Sequence, residues 1–357
     1  MEFGMFHEFP ITPGVGQAGA FESAFEQIDA AERWGLDVMW LAELHAAPTR
    51  SVLAAPLTIA SAIAARTKRI KIDTAVQVLP LCHPMRLAEE VATVDQISRG
   101  RLIFGVGRSG FPRTYQAYGV PYAESQERFA ETLEIIKRAW ADEPLEYSGK
   151  YFDFKGIPVM PKPYRPGGPE IRIAINSPDS FPAAGTQGLP VFGAVRLGTL
   201  SELGPNLRIY REAWKAAGHP GHGKVYLRLP LYIAETRERA YEEPQESVMH
   251  FYRWLGSQLE ASATLSGARA IEQRAERGQR LQAISYDDAL RDKVVVGTPD
   301  MVIDRLTQLR EELGLDGILA EMNCGSLIPH EHVMNSLRLL CEKVMPRFPS
   351  AAHDVAA

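Results

Sequence analysis

Residues 102–110 read Leu102-Ile103-Phe104-Gly105-Val106-Gly107-Arg108-Ser109-Gly110: an apolar run that ends in glycines around one arginine. The run 102–106 has the length and apolar content of a strand buried on both faces. A helical pattern, 84–97, precedes it. Pro84 suits a first helical turn, and Gly100 suits a stop. A second amphipathic helix, 124–140, follows. The local unit is therefore strand, loop, helix.

That unit recurs in both directions. Toward the N-terminus lie an apolar run at 2–6 and a helix at 21–34. The helix repeats Phe21, Ala24, Phe25, Ile28, Ala31 and Trp34 at spacings of three and four, and Gly35 closes it. A strand at 37–41, an alanine-rich helix at 52–66 and a strand at 70–78 come next. Toward the C-terminus the pattern predicts strands at 171–175, 191–195, 225–234 and 318–322. Helices are expected at 179–187, 201–217, 235–259, 299–313 and 331–345, with a short apolar run at 294–297 leading into the 299–313 helix. Eight apolar runs alternating with helices predict a parallel sheet, and eight units fit one closed (β/α)8 TIM barrel of α/β class. A doubly wound open sheet is the rival. Such a sheet usually carries a glycine-rich dinucleotide turn after its first strand, and here that place holds His7-Glu8-Phe9-Pro10.

A single domain spanning 1–357 is expected, with the surplus over a minimal barrel in two insertions. Residues 142–169 carry Pro144, Pro158, Pro161, Pro163, Pro166 and Pro169, so no long helix fits; a hairpin around 147–154 does. Residues 261–291 are rich in Ala, Arg, Gln and Glu, and read as a mobile or partly helical insertion. The tail after Pro346 is small and polar and is expected to fray. Lys plus Arg number 39 against 44 Asp plus Glu, a net charge of −5. No basic stripe is available, which argues against nucleic acid or an anionic membrane as the main partner. Cys82, Cys324 and Cys341 are widely spaced, so neither a zinc site nor a disulfide framework is suggested, in keeping with a reducing cytoplasm. The N-terminus lacks a signal-peptide pattern, and no stretch approaches the roughly 18 apolar residues of a membrane helix.

Barrel active sites lie at the C-terminal ends of the strands, which shortens the search. Gly105 to Gly110 ends strand four. Its glycines let a ligand approach the backbone, and Arg108 can clasp a phosphate through two N–H groups; a turn with a surface arginine is the plainer role. Asn176-Ser177-Pro178-Asp179-Ser180 opens the short helix after strand five. Such residues cap free N–H groups, and the same geometry binds phosphate. In a barrel these two turns converge. Strand six ends at Val195 and Arg196. His45, two residues after Glu43, ends strand two and can serve as acid, base or hydrogen-bond donor, or simply hold a loop. His7 beside Glu8 offers the same choice. His330 and His332 read as capping and surface residues, and His219 and His222 as solvated loop residues. No His/Asp/Glu cluster has metal spacing, so no metal is expected.

Taken together these segments resemble the bacterial luciferase-like flavin monooxygenase family, near its alkanal monooxygenase alpha-chain group. The resemblance runs from Glu2-Phe3-Gly4 to Val344-Met345-Pro346. It is carried by 35–43 (GLDVMWLAE), by 74–80 (TAVQVLP) with His83-Pro84-Met85-Arg86, by 95–101 (DQISRGR), by 104–108 (FGVGR) and by Val296-Gly297-Thr298-Pro299. It implies a (β/α)8 barrel that binds reduced FMN (FMNH2) delivered by a separate flavin reductase. In the family a flavin C4a-hydroperoxide formed with O2 then oxygenates an organic small-molecule substrate. It also implies phosphate contacts from Arg108, Asn176, Ser177 and Ser180, with Gly107 beside the flavin. A non-proline cis peptide at Ala75-Val76 would lie against the ring, 261–291 would act as a mobile lid, and a homodimer would form through helices two and three.

This chain departs from the family in three places. Asn176 stands where the luciferase catalytic subunit has a glutamate. Glu43-Leu44-His45 replaces the usual Glu-His-His, which removes the first histidine and leaves His45 and Glu43 as the catalytic candidates. Gly107 replaces a reactive cysteine. Light emission from a long-chain aldehyde is therefore not expected. Two other functions fit the same barrel: a deazaflavin-dependent oxidoreductase that moves hydride, and a flavin-binding subunit without catalysis.

Overall fold

The computed structural model describes residues 1–175, 177–194, 200–263 and 271–348, with backbone alone at 201–202, 262–263 and 271–274. Eight strands run parallel: β1 (Glu2–His7), β2 (Val38–Leu41), β3 (Lys71–Thr74), β4 (Leu102–Gly107), β5 (Glu170–Ala174), β6 (Val191–Ala194), β7 (Val225–Ile233) and β8 (Gly317–Glu321). Each pairs with its successor, and β8 pairs with β1, so the sheet closes on itself. This is the (β/α)8 barrel that the alternating pattern predicts. The rival open sheet is excluded by the closure.

Alternation along each strand sorts side chains between two compartments. Phe3, Met5, Met39, Leu41, Ile72, Phe104, Val106 and Leu227 point outward and pack against the helices. Phe6, Val38, Trp40, Ile103, Phe192, Tyr226 and Leu319 fill the barrel interior. At mid-height among them lies a cation, Arg172 of β5, which is 1% exposed. Its guanidinium meets Glu2 at 2.8 Å, Glu170 at 2.8 Å and Asp73 at 3.3 Å, and its carbon lies 3.9 Å from the Tyr226 ring centroid. Burial opposes the charge, but Asp73 and Glu2 outweigh it and hold the guanidinium protonated.

The helices around the barrel are α1 (Gln17–Trp34), α2 (Pro56–Arg66), α3 (Pro84–Ser98), α4 (Pro112–Ala117), α5 (Ser125–Ala139), α6 (Ser180–Thr186), α7 (Leu200–Ala216), α8 (Arg237–Glu242), α9 (Gln245–Ala263), α10 (Ile271–Gln282), α11 (Tyr286–Asp292), α12 (Pro299–Leu313) and α13 (His330–Leu339). Gly35 ends α1 with φ +88°, the left-handed stop its position suggested. Four expectations need correction. The helix expected at 52–66 begins only at Pro56, because proline has no N–H to give and takes the first helical position. The strand expected at 70–78 is interrupted: the Ala75–Val76 peptide is cis, and Gln77–Val78 pairs separately with Val106 and Gly107. The helix expected at 235–259 is split into α8 and α9 around Pro244. The turn after β4 contains α4, a helix too short for periodicity to reveal.

Both insertions contain regular secondary structure among the described residues. The proline-rich one holds an antiparallel hairpin, Leu145–Ser148 with Asp153–Ile157, and a cis Met160–Pro161 bond. In the second, α10 packs along α9 and α11 follows, so it is mostly helical; 264–270 lie outside the described residues. The last helix continues from α13 through a π turn at Leu340–Val344. Most of the polar tail, 349–357, lies outside the described residues.

Replacing Arg172 by Met should leave Asp73 inside the barrel without its counter-charge and Glu2 with Lys71 alone. Breaking one partner of a buried ion pair costs about 3–5 kcal/mol. Urea unfolding followed by circular dichroism should show a loss of that size; an unchanged midpoint would remove Arg172 from its role as interior plug.

Candidate active site

At the C-terminal mouth, the inward positions one step above the packed floor are Ala42, Ala75, Gly107, Ala174 and Ala194. All are small, and Ala75, Ala174 and Ala194 are half-buried. Directly beneath them Trp40, Ile103, Phe192 and Leu319 are buried. The mouth is thus a shallow, flat-floored depression. Two glycines of the 102–110 stretch are required there. A Cβ on Gly105 would sit 1.7 Å from the Thr74 carbonyl oxygen, and one on Gly107 would sit 2.7 Å from Val76 Cγ1. Any side chain at 107, a cysteine included, would have to displace Val76.

Beside this floor a hydrogen-bonded chain links three loops. The Val78 N–H donates to Glu43 Oε2 at 2.8 Å. His45 Nε2 lies 2.8 Å from Glu43 Oε1, and the Tyr118 hydroxyl lies 3.1 Å from His45 Nδ1. The His45 side chain is 11% exposed and that of Glu43 4%. Leu44 packs with Ala75 and Val76 on the interior cluster. The structure therefore joins Glu43, His45, Ala75, Val76 and Gly107 in one place. Tyr118 was not anticipated: it follows α4, an element without a sequence signal.

The register puts Val106 of β4 beside Ile173 of β5, so the turns carrying Arg108 and Ser177 leave adjacent strands. Arg108 donates from Nη1 to Ser125 Oγ at 3.0 Å, and its carbonyl accepts from the Tyr115 hydroxyl. No carboxylate pairs with Arg108 among the described residues. The Ser180 hydroxyl donates to the Ser177 carbonyl at 2.5 Å and accepts from the Ser177 N–H at 3.3 Å, closing the turn before α6, whose N-cap residue Asp179 makes no side-chain capping bond. Asn176, Val195 and Arg196 lie outside the described residues.

The opposite side of the mouth carries a buried ionic group. Arg50 grips Glu8 through Nε at 2.9 Å and Nη2 at 2.7 Å, and packs against Trp254 and Phe251 of α9, 4.2 and 5.1 Å from their centroids. Arg228 of β7 pairs with Glu321 of β8 at 2.8 Å and covers the Phe6 ring. The signal that could have found these two was a charged residue at an inward position of an otherwise apolar strand. His7 borders the same corner, in a cavity of about 10 Å³ lined by Phe6, Glu8, Glu321 and Asn323, room for one water. His7 Nδ1 accepts from the Phe9 N–H at 3.0 Å, and Nε2 meets Gln27 Oε1 at 3.1 Å. Burial pushes the His7 pKa down to about 4, against the opposing pull of Gln27 and Glu8. His330 is more than a surface residue: it contacts Gln27 at 3.3 Å and Glu26 at 3.0 Å. Among the described residues no group of His, Cys, Asp and Glu is arranged to hold a metal, and no helix is long and apolar enough to cross a membrane.

Residues 1–317 match the family model of the luciferase-like monooxygenases. A flavin-dependent trigonelline monooxygenase, oxygenase component, of Acinetobacter baylyi is 25% identical over 99% of this chain and 97% of that protein. The crystal structure of a monooxygenase from Streptomyces bottropensis superposes with a TM-score of 0.79 at 26% identity, covering 98% of this chain and 100% of that one. The oxygenating constituent of 3,6-diketocamphane monooxygenase from Pseudomonas putida, in complex with FMN, gives a TM-score of 0.83 at 23% identity, covering 98% and 99%; it attests the fold.

Because His7 is buried neutral, the unfolded chain binds a proton there that the folded chain refuses. Its contribution to stability is complete above the ordinary histidine range near pH 6.5 and is lost as pH falls toward about 4. Over that window the loss should be roughly 3 kcal/mol. Urea midpoints at pH 7 and pH 5 should show the slope, and His7→Gln should flatten it; an equal slope in the variant would refute the assignment.

Proposed function

The chain belongs to the luciferase-like monooxygenase family, and we propose that it is an oxygenase component that takes reduced FMN from a separate reductase and uses O2 to oxygenate a small organic substrate. One observation carries this: a half-buried arginine without a carboxylate partner among the described residues, Arg108, follows β4 at the mouth, next to the strand β5 that leads into α6, beside a floor of small residues. A phosphate and a planar ring have complementary demands. An anion suits the free guanidinium N–H groups and the α6 end. A flat ring suits a floor where even one Cβ, at Gly107, would collide with Val76.

In this reading Arg108, oriented by Ser125, holds the phosphate together with Ser177, Ser180 and Asn176. Ala75, Val76 and Gly107 bear on one face of the ring. When bound, the reduced flavin supplies two electrons to O2, so that one oxygen atom enters the substrate and the other leaves as water. The chain's own groups do the rest. Leu44 and Phe6 keep water from the floor. Glu43 orients His45, the base. The insertion at 261–291, of which α10 and α11 are described, closes over the mouth, and Arg50 packs against the rings of α9, the helix leading into it. The protein is taken as one cytoplasmic domain that pairs as a homodimer through α2 and α3, where Ala62 and Ala65 allow close approach.

Arg108→Ala should weaken FMN binding by about 10- to 150-fold, the range set by a hydrogen bond to a charged group at about 1.5–3 kcal/mol. Quenching of flavin fluorescence on titration measures it, beside circular dichroism to show that the variant is folded. An unchanged Kd would remove Arg108 from the site. Binding of a deazaflavin with none of FMN would replace oxygenation by hydride transfer. Oxygen uptake with a flavin reductase, screened over organic donors, tests the reaction itself.

A further inference from the structure

We propose that Tyr118 is the group through which Glu43 and His45 exchange a proton with the substrate, so that His45 acts through Tyr118 and does not touch the substrate itself. This rests on the oxygenase reading above, which has His45 as the base. The direction of the chain follows from its fixed end. Val78 offers a backbone N–H to Glu43 Oε2, so Glu43 is held as an acceptor whose other oxygen faces His45. His45 Nε2 therefore carries the proton and donates it to Oε1. Nδ1 is left as a bare acceptor, and the Tyr118 hydroxyl donates to it.

Access separates the two residues. Both ring nitrogens of His45 are engaged, its side chain is 11% exposed, and the Tyr118 ring stands edge-on over it at 4.9 Å. Tyr118 is 50% exposed at the rim. It lies on the loop that also carries Arg108, and the chain spans the ends of β3 and β4, where Ala75, Val76 and Gly107 form the floor. A ligand over that floor meets the phenol before the imidazole.

The proton balance closes. A substrate O–H gives its proton to the Tyr118 oxygen as Tyr118 passes its own to His45 Nδ1. The phenol is neutral before and after, and the imidazolium formed pairs with the Glu43 carboxylate 2.8 Å away. The reverse order delivers a proton. Among the described residues, the ionisable groups that face the chain are Glu43 from the end of β2, Cys82 from the loop after β3, Tyr115 of α4 and Tyr118 itself. Burial, and then Glu43, push the Cys82 thiol up to about 12, so it stays neutral and adds no competing charge. Burial likewise raises the Tyr118 phenol, which favours the neutral relay over a free phenolate.

Two measurements test this. The first needs no cofactor: 15N spectra of histidine-labelled protein near pH 8, with the His45 signals identified by their loss in His45→Gln. The expected result is a protonated Nε2 and a bare Nδ1, with Tyr118→Phe shifting Nδ1 and leaving Nε2 in place. A proton on Nδ1 overturns the proposal. The second follows re-oxidation of bound reduced FMN in air, at 450 nm, from pH 5.5 to 9. The wild type should show an inflection that Tyr118→Phe and His45→Gln both abolish, with FMN affinity held within twofold and Tyr122→Phe behaving as wild type. Retention of the inflection in Tyr118→Phe, or its absence from the wild type, overturns the proposal. If the wild type binds no FMN, the cofactor reading falls instead, and the first measurement still decides whether the relay exists.

Discussion

A guanidinium sealed inside a barrel is the constraint on which the rest of the structure rests. Arg172 cannot reach water, and an unpaired buried charge would cost several kcal/mol. Its partners come from three places on the wall: Glu2 on β1, Asp73 on β3 and Glu170 on β5 itself. Satisfying all of them ties strands on different parts of the wall to one another at a fixed register. Trp40 and Tyr226 flank the cation with their ring faces, at 5.0 and 3.9 Å. The interior is thereby filled at mid-height, and what lies above it is a floor.

That floor explains why the residues proposed for the chemistry sit on loops. Above Trp40 and Phe192 the inward positions are alanine or glycine, so no long side chain rises from the barrel on the β2–β5 side. The polar groups there arrive laterally, Glu43 and His45 from after β2, Tyr118 and Arg108 from after β4. The β7–β8–β1 side is built differently. There Arg228, Glu321, Glu8 and Arg50 form a neutral set of two cations and two anions, and Arg50 reaches out to grip α9. The helix that leads into the second insertion, α9, is thus held to the mouth by the arginine whose ion pair borders the cavity beside His7.

Much of this was legible in the residues. The strand–helix alternation, the left-handed stop at Gly35 and the hairpin in the proline-rich segment all follow from local pattern. Arg108 and Gly107 stood out because glycines around an arginine at a strand end are unusual for packing alone. The misses share a cause. Pro56 and Pro244 cut helices whose periodicity ran on through them, and periodicity does not register a missing N–H. Tyr118 escaped because a six-residue helix leaves no period to detect. Arg50, Arg228 and Glu321 looked like ordinary charges, since whether a charge is buried depends on what packs over it.

What the sequence by itself determined is the order and kind of the elements, and hence the closed parallel barrel and the end at which its site is proposed. Those features depend on hydrophobic spacing and turn residues, which act over a few positions. What only the tertiary structure decided is which groups meet. Glu43, His45 and Tyr118 span seventy-five positions, and Glu8, Arg50, Arg228 and Glu321 span more than three hundred. Their contacts arise from barrel closure and strand register, and no local preference of the chain encodes either.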